Sequence, residues 1–376
     1  MKTPPTSLAV TQWTNAILIA LFMVMLWLPT LDTFFHMDHA SSFNEKRRMA
    51  RFPQLKPGIV GLKEYIAGLE TCFNDHFGCR KRLIHWNNNW KYLLFRDKIG
   101  TDVIIGRDDW LFYNDGEMVE HYRGVRQFAP HNLLDWQTLL EHRRDWLAQR
   151  GIRYVFFVAP DKQSIYSEQL PSWLTKVRPE TKLDQFLAHM RAHSTIDVLD
   201  LRPALRDARR IAPTYYKTDT HWNLFGGFAA CQEIVKILSQ QQPGLEPLSL
   251  NSFEQQNKLT PGGDLANMLG LDIAEITEDN TILFTPKTNM PHLEMGANLT
   301  INSEAQKSVI VFHDSFGDAL EPFLGYSFGK VIYLGQHELD AGSIEREKPA
   351  IVISEMVERE FNVMDPNLLR AKEALK

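Results

Sequence analysis

The sequence predicts an α/β fold built on a mostly parallel sheet and preceded by a membrane-anchoring segment. Short apolar runs alternate with amphipathic segments of helical length, which is the pattern of parallel strands covered by helices on both faces. Residues 16–28 are all apolar and residues 3–31 carry no charge, which is the pattern of an N-terminal membrane segment. We therefore expect an exported α/β domain behind an anchor.

Composition places the chain among ordinary globular proteins and excludes one class of partner. The 376 residues are 44% apolar and 23% charged, enough to bury a substantial core. The formal net charge of -5 leaves no basic surface for binding a phosphate backbone. No nucleic acid partner is expected.

The N-terminal segment is interpreted as an uncleaved signal anchor. An uncharged segment of this length can cross a bilayer, although its dense apolar part has only the length of a signal peptide. No small-x-small cleavage site follows, since Asp38 occupies a position where a small residue is needed. A cleaved signal peptide and a buried core helix are the alternatives, and Pro29 weighs against the second. We predict an anchor over residues 1–35, a stalk over 36–58 and a folded domain over 59–376.

Helical periodicity begins after the stalk. Apolar residues recur at helical spacing over residues 59–77 and 81–95, and Gly78 between them predicts a helix stop. A hairpin is expected over residues 102–114, where two apolar runs flank Arg107-Asp108-Asp109.

From there, strands and helices alternate. The predicted helices cover residues 131–149, 182–193 and 224–238. The predicted strands cover residues 154–158, 196–199, 309–312, 331–334 and 351–353. Residues 244–300 are rich in Pro, Asn and Gly, so we expect loops or a small lobe over the sheet there.

The cysteines do not indicate a disulfide framework. Cys72, Cys79 and Cys231 are an odd number, so at least one thiol is left over in the monomer. Cys72 and Cys79 could pair only where the helix between them breaks, because seven helical residues rise about 10 Å and disulfide Cα atoms lie within about 7 Å. Isolated buried thiols are the alternative, and no Cys/His spacing indicates a structural zinc site.

The chain contains a candidate nucleophile and a candidate base for acyl transfer. The run at residues 308–314 is followed directly by Ser315, at the start of a predicted helix. Asp219 and His221 lie two positions apart, so on an extended segment both side chains point to the same side. The carboxylate could then bind the Nδ1–H of the imidazole and leave Nε2 for the serine proton, as in a Ser-His-Asp triad. A helix-capping serine and a surface ion pair are the structural alternatives.

The backbone around the serine is the candidate oxyanion site. The N–H groups of Ser315 and Gly317, at the start of a helix, are predicted to stabilise a tetrahedral oxyanion. His313 and Asp314 flank the serine and, as neighbours on a strand, point to opposite faces. The remaining histidines are interpreted as surface or packing residues, among them His121, His142, His189 and His292.

A metal site is the alternative chemistry for the same residues. The possible ligands for a hydrolytic metal ion are Asp219, His221, His313 and Asp314. No third ligand cluster with a recognisable spacing accompanies them in the sequence. We therefore expect neither a metal ion nor another cofactor.

Two segments together resemble a known family. Residues 218–223, Thr-Asp-Thr-His-Trp-Asn, and residues 313–317, His-Asp-Ser-Phe-Gly, look like the SGNH hydrolase-like proteins of the alginate O-acetyltransferase AlgX/AlgJ family. Shorter matching segments lie at residues 74–78, 106–112, 159–162, 165–166, 170–171, 226–227, 263–265 and 355–359. The resemblance covers roughly residues 60–362. Asp-Thr-His-Trp is its most specific part.

The resemblance implies a three-layer α/β/α sandwich and an O-acetyltransferase acting on a secreted bacterial polysaccharide. It assigns Asp219, His221 and Ser315 to the catalytic Asp, His and Ser positions, with an acetyl-serine intermediate. It also implies a periplasmic site, an anchor in the inner membrane and a membrane partner that delivers the acetyl donor.

Two features depart from the family pattern. His313 stands where a glycine commonly precedes the Asp-Ser pair, which could reshape the turn around the nucleophile. We expect no appended carbohydrate-binding module of the kind that some relatives carry, so the polymer contacts are expected to come from the domain itself. The predicted substrate-binding residues are Trp222, Tyr216 and Lys162. Tyr215 and Trp110 offer further aromatic faces, and core packing is the alternative for each aromatic side chain.

Three functions fit these residues, and O-acetyl transfer is the first. The same triad could serve a carbohydrate acetylesterase, because transfer to sugar or to water depends on how well the site excludes water and positions the acceptor. A non-catalytic polysaccharide-binding or assembly subunit is the third, and the presence of all three triad residues argues against it.

Overall fold

The computed structural model describes most of the chain, which forms two compact units. The described residues are 7–35, 50–94, 102–114, 116–196, 198–240, 244–271, 273, 276–373 and 375. The first unit comprises Met1–Arg96 with Leu269–Ala274, and the second comprises Asp97–Met268 with Glu275–Lys376. Most of the predicted stalk, residues 36–49, lies outside the described residues. The division of the chain at residue 59 stays a prediction.

The first unit contains three helices, α1 (Ser7–Phe35), α2 (Gly58–His76) and α3 (Arg80–Leu94). Within α1, Trp13–Asp32 is long and apolar enough to cross a membrane. α2 and α3 each begin one residue before the predicted helices. The end predicted for the second of them, Phe95, lies outside the described residues.

The second unit alternates strands and helices as the apolar pattern predicts. Its strands are β1 (Val103–Ile105), β2 (Leu111–Tyr113), β3 (Arg153–Ala159), β4 (Val198–Asp200), β5 (Phe253–Pro261), β6 (Thr277–Pro286), β7 (Glu294–Gly296), β8 (Leu299–Ile301), β9 (Ser308–Phe312), β10 (Lys330–Leu334) and β11 (Ile351–Val357). Its helices are α4 (Met118–Tyr122), α5 (Pro130–Ala148), α6 (Lys162–Ile165), α7 (Lys182–His193), α8 (Arg202–Ala208), α9 (Leu224–Ser239), α10 (Asp264–Met268), α11 (Glu321–Leu324), α12 (Ala341–Glu347) and α13 (Pro366–Glu373).

The main sheet is mostly parallel, as expected. Seven strands pair in the order β4-β3-β11-β9-β10-β8-β7. The strands from β4 to β10 in that order run parallel, whereas β8 is antiparallel to β10 and β7 is antiparallel to β8. β9 therefore lies inside the parallel part, between β11 and β10.

Alternate residues along the central strands enter two separate cores. On β3, Val155 and Phe157 belong to one core together with α8 and α9. Tyr154 and Phe156 belong to the other, together with α5 and α7. Because successive side chains of a strand point to opposite faces, helices must cover both faces of this sheet. The unit is thus the three-layer α/β/α sandwich that the resemblance implies.

Two regions outside the central strands can be compared with their predictions. β1 and β2 form the expected hairpin around a 3-10 turn at Arg107–Asp109. Residues 244–300 contain more strand than predicted, since β5 and β6 form an antiparallel ribbon and β7 and β8 extend the main sheet. Most side chains of β5 are exposed, so its sequence lacks the apolar run of a buried strand. None of the three cysteines forms a disulfide.

Candidate active site

Ser315 lies in a tight turn just beyond the carboxyl end of β9. We call residues 313–317 the nucleophile turn. The N–H of Gly317 donates to the carbonyl of Asp314 at 3.0 Å, which closes the turn around the serine. The Ser315 side chain is exposed. The hydroxyl is thus presented at the edge of the sheet where ligands of parallel α/β folds bind.

Asp314 fixes this turn to the neighbouring strand β11. Its N–H donates to Oε2 of Glu355 at 2.9 Å, and its Oδ2 accepts the N–H of Val357 at 2.8 Å. Its Oδ1 accepts the N–H of Phe316 at 2.8 Å. Both carboxylate oxygens therefore bind backbone N–H groups, which makes Asp314 a positioning residue for the serine.

His313 fills the space beneath the turn. The residue is 5% exposed, and Nδ1 of its ring lies 2.6 Å from the carbonyl oxygen of Asp314. A Cβ added to Gly317 would lie 2.3 Å from the His313 ring, so this close approach requires glycine at position 317. Histidine at position 313 is therefore compatible with a closed nucleophile turn, and its imidazole is a packing and hydrogen-bonding group.

The base loop, defined as residues 214–223, brings His221 to the serine. Nε2 of His221 lies 2.7 Å from Oγ of Ser315, and Nδ1 lies 2.6 Å from Oδ1 of Asp219. When Nδ1–H donates to the carboxylate, Nε2 is left to accept the serine proton. The three residues predicted for the triad thus form one hydrogen-bonded line with the geometry that nucleophilic catalysis needs.

Asp219 is ionised in this arrangement. Burial acts to raise the pKa of Asp219, but hydrogen bonds from the His221 ring and from the N–H groups of Asp264 and His221 outweigh it and lower the pKa to about 2. The Asp264 N–H lies 3.0 Å from Oδ2 of Asp219. A carboxylate that is charged at neutral pH holds the imidazole in place and stabilises the imidazolium that forms when the serine proton is taken.

A buried lysine holds the carbonyl groups of the base loop. Nζ of Lys162 donates to the carbonyls of Tyr216, Lys217 and Asp219 at 3.0, 3.2 and 2.5 Å. Burial lowers the pKa of Lys162 to about 7, although nearby carboxylates, first among them Glu278, act in the opposite direction. The ammonium therefore fixes the backbone that carries Asp219.

A buried carboxylate holds the N–H groups of the same segment. Glu278 of β6 accepts the N–H groups of Lys217 and Thr218 at 2.8 and 2.6 Å, and it also accepts the Thr218 hydroxyl. Glu278 is 3% exposed. Lys162 binds carbonyl groups and Glu278 binds N–H groups of the backbone just before His221, so this base-loop clamp fixes both kinds of backbone polar group.

The start of α10 and the glycine before it contact the segment of the base loop that carries Asp219. Asp264 accepts the N–H of Thr220 at 2.8 Å and the Thr220 hydroxyl at 2.7 Å. A Cβ on Gly263 would lie 2.4 Å from Cβ of Asp219, so only glycine allows this approach. The turn at residues 263–264 is thus a part of the site that packs directly on the catalytic carboxylate.

A cleft of about 300 Å³ opens over the serine. It is lined by Tyr216, Asp219, His221, Trp222, Leu224, Ser315, Asp318 and Ala319. Tyr216 is half-buried and borders the cleft, so it stays a predicted substrate contact.

Two other predicted substrate contacts are placed differently from expectation. Trp222 is 1% exposed and donates from Nε1 to the carbonyl of Phe316 at 2.8 Å, so it packs against the nucleophile turn. Because it also borders the cleft, it stays a predicted substrate contact. Lys162 is 3% exposed and directs its ammonium to the base loop. Among the additional aromatic residues, Tyr215 is fully buried and Trp110 stacks on Tyr166. The buried side chains of Lys162 and Tyr215 are positioning and packing residues, because buried groups cannot reach a bound sugar, whereas Trp110 is only partly buried.

The oxyanion prediction needs one correction. The Gly317 N–H is used within the nucleophile turn, where it donates to Asp314, and is not free for an oxyanion. Within the described ranges the Ser315 N–H makes no hydrogen bond. The Ser315 N–H therefore stays the predicted backbone donor for a tetrahedral oxyanion.

The four possible metal ligands do not converge on one point. Among the described residues, Asp219 and His221 group with Asp264, whereas His313 groups with Asp318 and Glu321. The carboxylate of Asp314 is engaged by backbone N–H groups. The oxygens of Asp219 bind the His221 ring and the Asp264 N–H, so the triad already uses them.

Sequence reasoning misses Glu278 and the roles of Lys162, Asp264 and Asp314. Glu278 lies in the segment predicted as loops, and nothing in its sequence neighbourhood marks it as a partner of residues 217–218, which are far away along the chain. Asp264 enters only through the family resemblance. The signal that could have found Asp314 is its charge just after the apolar run at residues 309–312, since buried charges are paired or positioned.

Comparisons with known proteins identify the family. The family model described as "SGNH hydrolase-like domain, acetyltransferase AlgX" matches residues 103–333. A probable alginate O-acetylase AlgJ of Pseudomonas putida is 31% identical over 174 residues, covering 45% of this chain and 42% of that protein. The probable alginate O-acetylase AlgJ of Pseudomonas syringae pv. tomato is 30% identical over 206 residues, covering 54% and 50%. The chain spans about half the length of these curated relatives.

Solved structures share the fold at low sequence identity. The O-acetyltransferase domain of Pseudomonas putida AlgJ superposes with a TM-score of 0.50 at 22% identity, covering 74% of this chain and 100% of that chain. Bacillus cereus PatB1 with a sulfonyl adduct superposes with a TM-score of 0.54 at 17% identity, covering 70% and 97%. Because the family model matches more than half of the chain, this protein belongs to the SGNH hydrolase-like acetyltransferase family of AlgX.

Proposed function

We propose that this protein is an O-acetyltransferase that acetylates a secreted bacterial polysaccharide through an acetyl-serine intermediate. The observation that carries the proposal is the hydrogen-bonded line from Ser315 through His221 to Asp219, which opens into a solvent-exposed cleft. The relatives named alginate O-acetylases support acetyl transfer as the reaction and a polysaccharide as the acceptor.

In the first half-reaction, Oγ of Ser315 attacks the carbonyl carbon of the acetyl donor while its proton passes to Nε2 of His221. The negative oxygen of the tetrahedral intermediate faces the Ser315 N–H. Asp219 stabilises the imidazolium. The leaving group of the donor then takes the proton from Nε2 as its bond to the acetyl carbon breaks. The enzyme is left with an acetyl ester on Ser315 and a neutral His221.

In the second half-reaction, a sugar hydroxyl takes the place of the leaving group. His221 accepts the proton of that hydroxyl, and the sugar oxygen attacks the acetyl carbon. The bond to Oγ of Ser315 breaks, and the serine recovers its proton from His221. The product is an acetylated sugar, and the enzyme returns to its starting state.

The proposed location is the periplasm, with α1 anchoring the protein in the bacterial inner membrane. The support is the apolar span Trp13–Asp32, which has the length and composition of a membrane-crossing helix. A membrane partner that delivers the acetyl donor belongs to the same proposal. It predicts that a protein of the membrane copurifies with the full chain, and purification without such a protein would count against it.

An acetylesterase is the second candidate, and one observation favours it. Ser315 is exposed in an open cleft, so water can reach an acetyl group bound to its oxygen. The two functions share the first half-reaction and differ only in which hydroxyl accepts the acetyl group.

The test is a product analysis with full-length protein in detergent. We would supply a chromogenic acetyl ester as donor, with and without a panel of oligosaccharides, and compare wild type with Ser315→Ala. We expect Ser315-dependent ester cleavage together with acetylated oligosaccharide detected by mass. Acetate release without acetylated sugar across the panel would favour the esterase. Cleavage that is equal in folded Ser315→Ala would remove the triad from the proposal.

A further inference from the structure

The first unit carries an apolar surface that its own helices leave exposed. On α2, Ile59, Leu62, Ile66 and Phe73 recur at intervals of three, four and seven residues, which places them on one narrow stripe of the helix. Their exposed fractions are 79%, 50%, 57% and 64%. A soluble helix normally turns such a stripe toward a core, so this stripe is built to face another apolar environment.

The opposite side of α2 is covered by the chain that precedes it. A Cβ on Gly61 would lie 2.2 Å from the carbonyl oxygen of Lys56, and one on Gly68 would lie 2.7 Å from the Pro53 side chain. The residues before α2 therefore pack on its glycine face. The apolar stripe lies away from this packed side.

α3 carries a second apolar stripe of similar character. Leu83, Trp86 and Trp90 lie three and four residues apart on one side of the helix and are 37%, 59% and 49% exposed. The sequence of α3 contains Arg80, Lys81, Arg82 and Lys91 and no acidic residue. Exposed tryptophans on a helix of basic sequence are typical of helices that lie at the surface of an anionic membrane.

A hydrogen bond ties the start of α3 to the end of the apolar span of α1. The N–H of Cys79 donates to Oδ2 of Asp32 at 2.6 Å, and Asp32 is the last residue of that span. The 20 residues of Trp13–Asp32 rise about 30 Å, the thickness of the hydrocarbon core. We call residues 77–79, which connect α2 to α3, the elbow. When α1 crosses the bilayer, the elbow is therefore held at the boundary between the hydrocarbon core and the headgroups.

We propose that α2 and α3 lie on the surface of an anionic bilayer with their apolar stripes inserted at the boundary between headgroups and acyl chains. The proposal rests on the membrane-spanning role proposed for α1. The bilayer is favoured over a protein partner because the elbow is fixed at the end of the span, α3 is basic, and its exposed aromatic residues are tryptophans. The protein would then be held at the membrane by α2 and α3 on the bilayer surface as well as by the α1 anchor.

The test measures how close the α2 stripe comes to lipid in the full-length protein. In a background with Cys72, Cys79 and Cys231 replaced by serine, single cysteines are introduced as Ile66→Cys on the stripe and Glu64→Cys on the opposite side. Each variant carries a fluorophore and is reconstituted in nanodiscs containing anionic lipid, with a nitroxide quencher on a lipid near the headgroup. We expect quenching at position 66 to be several-fold stronger than at position 64, and to weaken when the lipids are zwitterionic.

Further variants separate the possible outcomes. Leu21→Cys, labelled in the same way and read with a nitroxide deep in the acyl chains, reports on the anchor alone. Quenching at position 21 with equal, weak quenching at positions 66 and 64 would overturn the proposal while leaving the anchor intact. A label at position 66 that becomes shielded only when a membrane protein extract is added would overturn it in favour of a protein partner. Trp86→Ser combined with Trp90→Ser is expected to reduce quenching at position 66, and no reduction would contradict a role for α3.

Discussion

The nucleophile turn and the base loop meet at two hydrogen bonds, from His221 to Ser315 and from Trp222 to Phe316, yet they are held in place in different ways. The nucleophile turn follows directly from β9 and is fixed to the adjacent strand β11, where the Glu355 carboxyl accepts the Asp314 N–H and the Asp314 carboxylate accepts the Val357 N–H. The base loop is fixed by side chains from distant segments, chiefly Lys162 and Glu278. The serine is thus placed by the end of a central strand and by two carboxyl groups beside it, whereas the histidine is placed by buried charged side chains that bind an irregular backbone from distant segments.

The position of the base loop is therefore more sensitive to side-chain substitutions than the position of the nucleophile turn. Backbone pairing within a sheet tolerates many side-chain changes, because the hydrogen bonds belong to the main chain. A loop held by buried charges depends on each of those charges being present and correctly ionised. We expect changes behind the base loop to lower turnover without unfolding the sheet.

The largest effect is expected from removing either end of the central hydrogen bond. Ser315→Ala and His221→Ala should each lower kcat for ester cleavage by about a thousand-fold or more, because nucleophile and base act as a unit. His292→Ala, which changes an exposed histidine outside the cleft, is the matched control and should keep wild-type turnover. Near-normal turnover in folded His221→Ala would contradict the assignment of the base.

The next effect is expected from neutralising the carboxylate of the triad. Asp219→Asn should lower kcat by a factor on the order of a thousand, because the amide no longer stabilises the imidazolium. The pKa of about 2 also predicts a stability effect: the contribution of Asp219 is present above its ordinary value of 3.8 and is lost as pH falls toward about 2. The free energy of unfolding of wild type and variant should therefore converge in that window. A constant difference through it would contradict the lowered pKa.

Breaking the base-loop clamp should have a smaller effect. Lys162→Met removes the donor to three carbonyls and should lower kcat by about a hundred-fold through misplacement of His221, with less change in KM. Lys176→Met, at an exposed lysine, is the control. Because burial lowers the pKa of Lys162 to about 7, wild-type kcat should fall as pH rises through that value, when the amine loses one of its donors. This alkaline fall should be absent in Lys162→Met, and its persistence there would assign it to another group.

The smallest effect is expected beneath the nucleophile turn. Burial and the nearby Asp314 carboxylate raise the pKa of Glu355 well above its ordinary value, which favours the neutral side chain, so Glu355→Gln should change turnover little. Glu355→Leu leaves the Asp314 N–H without its acceptor and should lower the free energy of unfolding by about 1–3 kcal/mol.

The pH dependence checks the ionisation of Glu355. A carboxyl with a raised pKa in the folded state loses stabilisation as pH rises above the ordinary value of 4.5 toward the folded-state value. Glu355→Gln has no such loss, so its stability relative to wild type should increase over that range. Equal pH dependence of the two proteins would show that Glu355 is ionised in the folded state.

The same contrast between sheet and loop separates what is predictable from sequence from what is not. The central strands can be predicted from the sequence because each is a continuous apolar run. The position of Ser315 after β9 follows from that run. The pairing of Asp219 with His221 can also be predicted, because the two residues are close in sequence. Glu278 lies about sixty residues beyond the loop that it holds, in the polar first half of β6, so local patterns carry no sign of it.

Burial decides the predictions that need correction. Trp222 and Lys162 look like substrate contacts in sequence because both belong to the matching segments. In the structure both side chains are buried, and Lys162 directs its ammonium to the base loop. The Gly317 N–H is predicted to face an oxyanion, but the turn is tight enough to use it internally. Which face of a residue is covered depends on tertiary packing, which single-sequence patterns do not record.

The decisive measurement is a search for the acetyl group on Ser315. Full-length wild type and Ser315→Ala would be mixed with an acetyl ester, quenched in acid and digested for peptide mass spectrometry, with and without oligosaccharide acceptor. We predict one acetyl group on the wild-type peptide containing Ser315, which disappears faster when acceptor is present as acetylated sugar accumulates. An unmodified Ser315 during active acetyl transfer would contradict the proposed mechanism, because transfer would then bypass the nucleophile on which it depends.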